Sequence, residues 1–252
     1  MEALRVEGLS KDFGGVHALR DVNFSVQTGE HLAIIGPNGA GKTTLFNVLN
    51  GQLPAARGHV YLFGQEITNM PTYRRAHLSL ARSFQLTTLF PNLTVLENTL
   101  LAIQGTQPSR FQMFRPITAY KHLSTKAQEL LSIMSLWEKK DDLVTNIAYG
   151  EQRKLEITLS LASKPKVLLL DEPSTGLTAD ESADVVSMIG NLGADITLLI
   201  VAHDMDLIFG VADRIIVLHY GQIIAEGRPS EIQADSRVKE IYMGVEESVG
   251  NA

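Results

Sequence analysis

The sequence predicts an α/β fold with a mostly parallel central sheet, and three apolar runs carry that prediction. They are His31-Leu32-Ala33-Ile34-Ile35, Val167-Leu168-Leu169-Leu170 and Leu198-Leu199-Ile200-Val201-Ala202. Apolar residues that run on without alternating mark strands covered on both faces, as in parallel sheets. Each run ends in chemistry: a glycine-rich stretch from Gly36, the pair Asp171-Glu172, and His203. Open α/β sheets bind ligands beyond the carboxyl ends of their strands, so the three runs point these groups toward one crevice.

The first residues, Met1-Glu2-Ala3-Leu4-Arg5-Val6-Glu7, show no basic region followed by an apolar stretch, so no signal peptide is expected. Lys11-Asp12-Phe13-Gly14-Gly15 reads as a polar turn. Its aromatic, Phe13, is a candidate either to stack on a purine ring or to cap the core. Val22-Asn23-Phe24-Ser25-Val26 alternates as a half-buried strand does, and Thr28-Gly29-Glu30 turns the chain into the first parallel strand. After that strand comes Gly36-Pro37-Asn38-Gly39-Ala40-Gly41-Lys42-Thr43-Thr44, then a helical run from Leu45. Strand, loop with the spacing G-x-x-x-x-G-K-[ST], and helix together define a phosphate-binding loop. Without Cβ atoms, successive backbone N–H groups can turn inward on an anion. The helix N-terminus adds donors and roughly half a unit of positive charge. Lys42 is expected to neutralise the β- and γ-phosphates of a nucleoside triphosphate, and the Thr43 hydroxyl to hold Mg²⁺.

Residues 51–64 predict a turn and a short strand, and 80–85 lead from Leu80 to Gln85. Asn92 or Thr94 is placed to cap a helix beginning near Val95, with Leu96, Leu100 and Ile103 at helical spacing. Residues 105–120, with Pro108, Pro116, Phe111 and Phe114, break the periodicity and predict an irregular insertion. A helix resumes at Ser124, and its stripe of Ala127, Leu130, Leu131, Met134 and Trp137 is expected to pack within the domain. At the end of the second apolar run Asp171 is assigned to hold the metal, through water, and Glu172 to orient or deprotonate an attacking water. His203, at the end of the next, is a candidate γ-phosphate contact. Residues 214–227 predict a hairpin, and the remainder a short helical pattern with a frayed end.

The 252 residues suit one large domain, and their 44% hydrophobic and 20% charged content is ordinary for a globular protein. A formal net charge of −6 argues against broad nucleic-acid binding, so an anionic nucleotide must be held by local donors. No cysteine is present, which excludes disulfides and thiolate metal sites. No run approaches the roughly 18 apolar residues of a membrane span. A soluble, cytoplasmic protein is the expectation.

The order of these motifs resembles the ATP-binding subunits of ABC transporters over nearly the whole chain. Gln85 stands where that family has the glutamine joining its two lobes. Ala148-Tyr149-Gly150-Glu151-Gln152 takes the place of the signature motif, Ser174-Thr175-Gly176-Leu177-Thr178 that of the dimer-contact loop, and His203 that of the switch histidine. The Ala-Tyr-Gly form, the run Arg153-Lys154-Leu155-Glu156-Ile157, Lys11 to Gly15 and the insertion near Phe111 are similar to the ATPases of branched-chain amino-acid importers. The signature departs from the common Leu-Ser-Gly-Gly-Gln: its serine is replaced by Tyr149 and its second glycine by Glu151. A carboxylate aimed at phosphate would repel it, so the Glu151 side chain is expected to point away and Gly150 to make the close approach. Thr178, where aspartate is common, bears on how the dimer is coupled.

The resemblance implies a P-loop core at 1–87 and 159–228, an N-terminal antiparallel β region, an inserted helical subdomain at 88–158, and an extension at 229–252. It implies ATP with Mg²⁺, the metal held by Thr43, Gln85 and Asp171. Catalysis would use Glu172, His203, Gln85 and Lys42. ATP would lie between the phosphate loop of one subunit and residues 149–152 of another, an identical copy or a relative. Such a subunit sits on the inner face of the cell membrane, beneath two transmembrane permease subunits served by a separate solute-binding protein. Its function would be to energise import of branched-chain or other amino acids. An exporter or lipid-transport ATPase shares the chemistry. A soluble, non-transport relative would carry fused ATPase units or a long coiled coil, and this chain has neither.

Overall fold

The computed structural model describes residues 1–83, 89–107, 121–193 and 195–241. The chain begins with two long antiparallel strands, β1 (Glu2–Phe13) and β2 (Val16–Gln27), joined at Gly14 and Gly15. The turn is therefore shorter than the one expected at 11–15, because Lys11, Asp12 and Phe13 pair with β2 instead of looping out. Then follow β3 (His31–Ile35), α1 (Lys42–Asn50), β4 (Arg57–Leu62), β5 (Gln65–Glu66), α2 (Thr72–His77) and β6 (Leu80–Arg82). The helical part comprises α3 (Val95–Gly105), α4 (Lys121–Ile133) and α5 (Tyr149–Leu161). The chain returns to β7 (Val167–Asp171), α6 (Ala179–Gly190), β8 (Thr197–Val201), α7 (Met205–Val211), β9 (Arg214–His219), β10 (Gln222–Gly227) and α8 (Pro229–Ala234).

Six strands form the central sheet in the order β10-β9-β3-β8-β7-β6, parallel except for β10, which forms the expected hairpin with β9. A second sheet, β2-β1-β4-β5, is antiparallel. The continuous apolar runs follow from this arrangement. Side chains alternate across a strand, and both faces of the central sheet are covered. Leu32, Ile34, Leu169 and Leu199 face α1 and the antiparallel sheet, sharing a core with Leu45, Phe46, Leu4 and Val6. Ala33, Ile35, Leu168, Leu170 and Ile200 face the opposite way, onto Leu155, Val185 and Leu207 of α5, α6 and α7.

Helix α3 starts at Val95 with Thr94 as its cap: the Glu97 N–H donates to Thr94 Oγ1 at 3.1 Å, and the Thr94 N–H donates to Glu97 Oε2 at 2.8 Å. Thr94, not Asn92, is the cap because only it stands three residues before a glutamate, the reciprocal spacing of a capping box. Leu100 and Ile103 of α3 meet Leu123 and Ala127 of α4 in a small core of their own. Helix α4 begins before the expected Ser124 and ends before Trp137, which lies in a separate 3₁₀ turn, Trp137–Lys139. Helix α5 runs past the expected lobe boundary at 158 and joins the main core through Leu155, Ile157 and Leu161.

One buried cation holds the region behind α1. Arg75, 1% exposed, donates to the carbonyls of Val48 and Leu49 at 2.8 and 2.7 Å, and to those of Thr68 and Met70 at 2.9 and 2.7 Å. These bonds satisfy the carbonyl end of α1, where the helix dipole also favours a cation. Burial pushes the guanidinium pKa down to about 10, still charged at neutral pH. Replacing Arg75 with Met leaves four carbonyls without that donor. Urea denaturation should show a loss of roughly 3 kcal/mol or more, against little change for the exposed neighbour Arg74→Met.

Candidate nucleotide-binding site

The loop from Gly36 to Thr44 leaves β3 and enters α1, as its spacing predicts. Its walls explain two of its glycines. A β-carbon on Gly36 would lie 2.0 Å from the Leu218 carbonyl oxygen on β9, and one on Gly41, whose φ is +106°, would lie 2.5 Å from the Ala18 oxygen on β2. Both obstacles are backbone, so neither can move aside. Residues 38–44 line an open cavity of about 410 Å³, within the range of small-molecule sites. Glu172 lines it from the far side, and Val16, His17, Ala18, Arg20 and Tyr220 complete it. The last five went unnoticed in the sequence because β2 and the β9–β10 turn reach the loop only through folding. Lys42 is nearly buried, and its ammonium donates to the Gly36 and Pro37 carbonyls at 2.6 and 3.2 Å. Burial holds its pKa below the ordinary lysine value, against the opposing charges of Glu172 and Asp171.

Strand β8 lies between β3 and β7, so His203 emerges between the loop and the two carboxylates. Asp171 is fully buried. Its Oδ2 accepts a 2.6 Å bond from Arg82 Nη2, while Nη1 of the same guanidinium donates to Asn47 Oδ1 at 2.6 Å and Gln52 Oε1 at 2.9 Å. Its other oxygen, Oδ1, is buried with no hydrogen-bond partner among the described residues. A buried carboxylate oxygen without a donor asks for one. Water on a Mg²⁺ ion meets that need, since Mg²⁺ keeps several waters and uses few carboxylates. Thr43 lines the cavity beside Asp171's neighbour Glu172, and a hydroxyl with a carboxylate oxygen is a donor set that suits the ion. Glu172 adopts a left-handed backbone, φ +51°, with its N–H donating to the Val201 carbonyl at 2.7 Å. For a non-glycine residue such a conformation costs of order 1 kcal/mol and gathers at functional sites. Its Oε2 is hydrogen-bonded to His203 Nδ1 at 2.5 Å and accepts from Thr175 Oγ1 at 3.2 Å. The histidine expected on a phosphate thus touches the expected base directly.

Helix α5 begins at Tyr149, with Ala148 as its cap residue. Glu151 folds back on the same helix end: Oε2 accepts the Ala148 N–H at 3.0 Å, and Oε1 lies 2.5 Å from the Lys139 ammonium. Gln152 Nε2 donates to the Val144 and Ile147 carbonyls, both at 3.2 Å. Tyr149 is 53% exposed, its hydroxyl donating at 3.4 Å to the Thr175 carbonyl. Arg153 ties this helix to the end of β7, donating to the carbonyls of Asp171 at 3.0 Å, Glu172 at 2.6 Å and Pro173 at 3.2 Å, and to Glu156 Oε2 at 2.6 Å. The spacing of Arg153 and Glu156 was legible in the sequence. The three carbonyls were not. Phe13 is 47% exposed, with the Lys11 ammonium 5.1 Å from its ring centre, so it does not cap the core. Gln85 lies outside the described residues, as do Phe111 and Phe114 of the expected insertion.

The loop, carboxylate and histidine at the ends of three neighbouring parallel strands define an ATP-binding cassette, and comparison with known proteins agrees. A family model described as "ABC transporter" matches residues 19–175, and one described as "Branched-chain amino acid ATP-binding cassette transporter" matches residues 222–248. The high-affinity branched-chain amino acid transport ATP-binding protein BraF of Pseudomonas aeruginosa is 35% identical, over 96% of this chain and 97% of its own. LivG of Escherichia coli, of the same description, is also 35% identical over 96% and 97%. Among solved structures, the ADP conformation of the ABC transporter cassette MJ1267 superposes with a TM-score of 0.87 at 35% identity, covering 97% and 99% of the two chains. A nucleotide-free ATP-binding cassette gives 0.85 at 33%, covering 96% and 99%. The chain belongs to the ABC transporter family, as an ATP-binding subunit with the ATPase fold of that family.

Because the Tyr149 hydroxyl makes one long bond at a half-exposed position, its loss should cost well under about 1 kcal/mol. Tyr149→Phe should keep ATPase activity within about twofold in a steady-state phosphate-release assay. A loss of tenfold or more would assign the hydroxyl a direct role.

Proposed function

We propose that this chain binds and hydrolyses ATP to energise a membrane importer of branched-chain or other amino acids. The observation that carries the chemistry is the delivery of the loop, Asp171-Glu172 and His203 by three neighbouring strands, with Glu172 lining the loop's cavity and bonded to His203. What favours the amino-acid substrate is likeness to BraF and LivG along almost the whole chain, together with the branched-chain family match at 222–248. Among the described residues no helix is long and apolar enough to cross a membrane. In this reading the transport path belongs to two transmembrane partner subunits, with a separate solute-binding protein delivering the cargo and this chain peripheral on the inner face.

In this reading the amides of Gly39 to Thr44 hold the phosphates, with Gly36, Pro37 and Asn38 shaping the loop. Lys42 leaves its two carbonyls for the β- and γ-phosphates, which compensate it better than neutral oxygens do. Mg²⁺ bound with the ATP neutralises phosphate charge. Thr43 and Asp171 Oδ1 would hold it, with Gln85 as a third candidate. Glu172 accepts a proton from the attacking water, and His203, bonded to its carboxylate, fixes that side chain and contacts the γ-phosphate. Phe13, exposed near the β1–β2 turn, is left free to stack on the base. A second ATPase subunit, identical or related, completes each site with its own Tyr149, Gly150, Glu151 and Gln152. The start of α5 supports one adjustment of register. The helix-cap position, where a serine hydroxyl would cap, is held by Ala148, so Ala148 takes the place of the signature serine, and Tyr149 follows it.

Glu172→Gln should preserve ATP affinity and lower turnover by a factor of at least about 100, leaving a long-lived ATP-bound dimer visible by gel filtration. Normal hydrolysis by that variant would remove Glu172 as the base. Copurification tests the wider function: two hydrophobic subunits and a solute-binding protein are expected, whereas ribosomes or DNA would reject transport.

A further inference from the structure

The turn that opens α5 is docked on the loop of its own chain that follows Glu172. Three contacts make the joint. The Tyr149 ring covers Gly176, where a β-carbon would lie 3.0 Å from its Cε1, and its hydroxyl reaches the Thr175 carbonyl at 3.4 Å. One turn further on, Lys154 Nζ meets Asp184 Oδ2 at 3.0 Å. Between them lies Glu181, the third residue of α6. Its Oε2 accepts from the Thr178 N–H at 2.9 Å and from Thr178 Oγ1 at 3.0 Å. Its Oε1 is turned toward α5, so that a β-carbon on Gly150 would stand only 2.4 Å away. Thr178, through its N–H and hydroxyl, with smaller help from Lys154 and the Gly150 N–H, holds the Glu181 carboxyl below the usual range. The group is therefore ionised at neutral pH.

A negative carboxylate lies against Gly150, within 2.4 Å of where a β-carbon there would stand, in the first turn of a 13-residue helix, where free N–H groups and the helix dipole attract anions. In the reading proposed above, on which this inference rests, the same turn must receive the γ-phosphate held by the partner subunit. Two anions at one turn repel each other. We propose that Glu181 is a positioning residue that seats the Gly150 turn on its own chain while no triphosphate is present, and that the γ-phosphate displaces it when the ATP sandwich closes. The carboxylate and the γ-phosphate are then alternative occupants of one turn. Thr178, as the cap that holds Glu181, sets how readily the exchange occurs.

Glutamine at 181 separates charge from structure, because a capping box accepts glutamine in place of glutamate. The test is made in the Glu172→Gln chain, alone and with any ATPase subunit that copurifies with it, by sedimentation velocity over a range of ATP concentrations. Adding Glu181→Gln should lower the ATP concentration for half-maximal association by about fivefold or more, a typical coupling between two sites, and should leave the response to ADP unchanged. Equal or weaker association would overturn the proposal and leave Glu181 as a helix cap alone. An equal gain with ADP would overturn it too, since the γ-phosphate would then play no part. Amide exchange in the nucleotide-free chain checks the seating without any dimer: residues 149–152 should exchange faster in Glu181→Gln, and unchanged rates refute the contact. If Glu172→Gln never associates with ATP, the sandwich fails and the displacement with it, whatever the exchange data say.

Discussion

Backbone N–H groups at the start of α1 can gather round a phosphate only where the chain runs too close to its neighbours for side chains. Much of the molecule serves that approach. Strand β9 sets the Leu218 carbonyl against Gly36, and β2 sets the Ala18 carbonyl against Gly41. The antiparallel sheet that contains β2 thus walls the cavity as well as covering the core. At the far end of α1 the guanidinium of Arg75 takes up the last carbonyls. The helix is fixed at its carbonyl end by a cation of the chain and left open at its amide end for an anion from outside. A net charge of −6 does not oppose this, because donors within hydrogen-bond reach outweigh a surface field screened over about 8–10 Å.

Two arginines extend the same logic to the carboxylates. Arg82 engages the Asp171 side chain and joins it to Asn47 on α1, while Arg153 engages the backbone carbonyls of Asp171, Glu172 and Pro173 from α5. Buried charges are expensive unless bonded, and removing one partner of such a pair typically costs about 3–5 kcal/mol. Helix α1, the end of β7 and helix α5 are therefore not independent bodies near the site. A movement of α5 pulls on the carbonyl of Glu172, whose left-handed backbone is tied through its N–H to the Val201 carbonyl and whose carboxylate is tied to His203 and Thr175. This gives the helical region a physical route to the reacting end of the site.

The turn that opens α5 shows how an unusual sequence is accommodated. Glu151 would be hostile to phosphate if it faced outward, yet it bonds the Ala148 amide and Lys139. Its charge is spent on its own helix end. Tyr149 lies over Gly176, where φ is +81° and a β-carbon would stand 3.0 Å from the ring. The residues that depart from the common motif thus act as packing and capping groups, and Gly150 remains the point where another group can come near.

Local pattern was enough for a good part of this protein. The parallel strands, the phosphate loop, the carboxylate pair, the β9–β10 hairpin and a cap at Asn92 or Thr94 were legible because each depends on residues adjacent in sequence or a turn apart. The two-sided burial of the central sheet was legible too, since it alone explains apolar runs that do not alternate. The roles of Arg75, Arg82 and Arg153 were not, because a guanidinium is silent in sequence until its carbonyls and carboxylates arrive from elements far along the chain. The same holds for His17, Arg20 and Tyr220 at the cavity wall and for Glu181 against Gly150. Sequence by itself determined which groups the strands deliver. Only tertiary structure decided which of them meet, because hydrogen bonds and charge pairs act over a few ångströms in space whatever the distance along the chain.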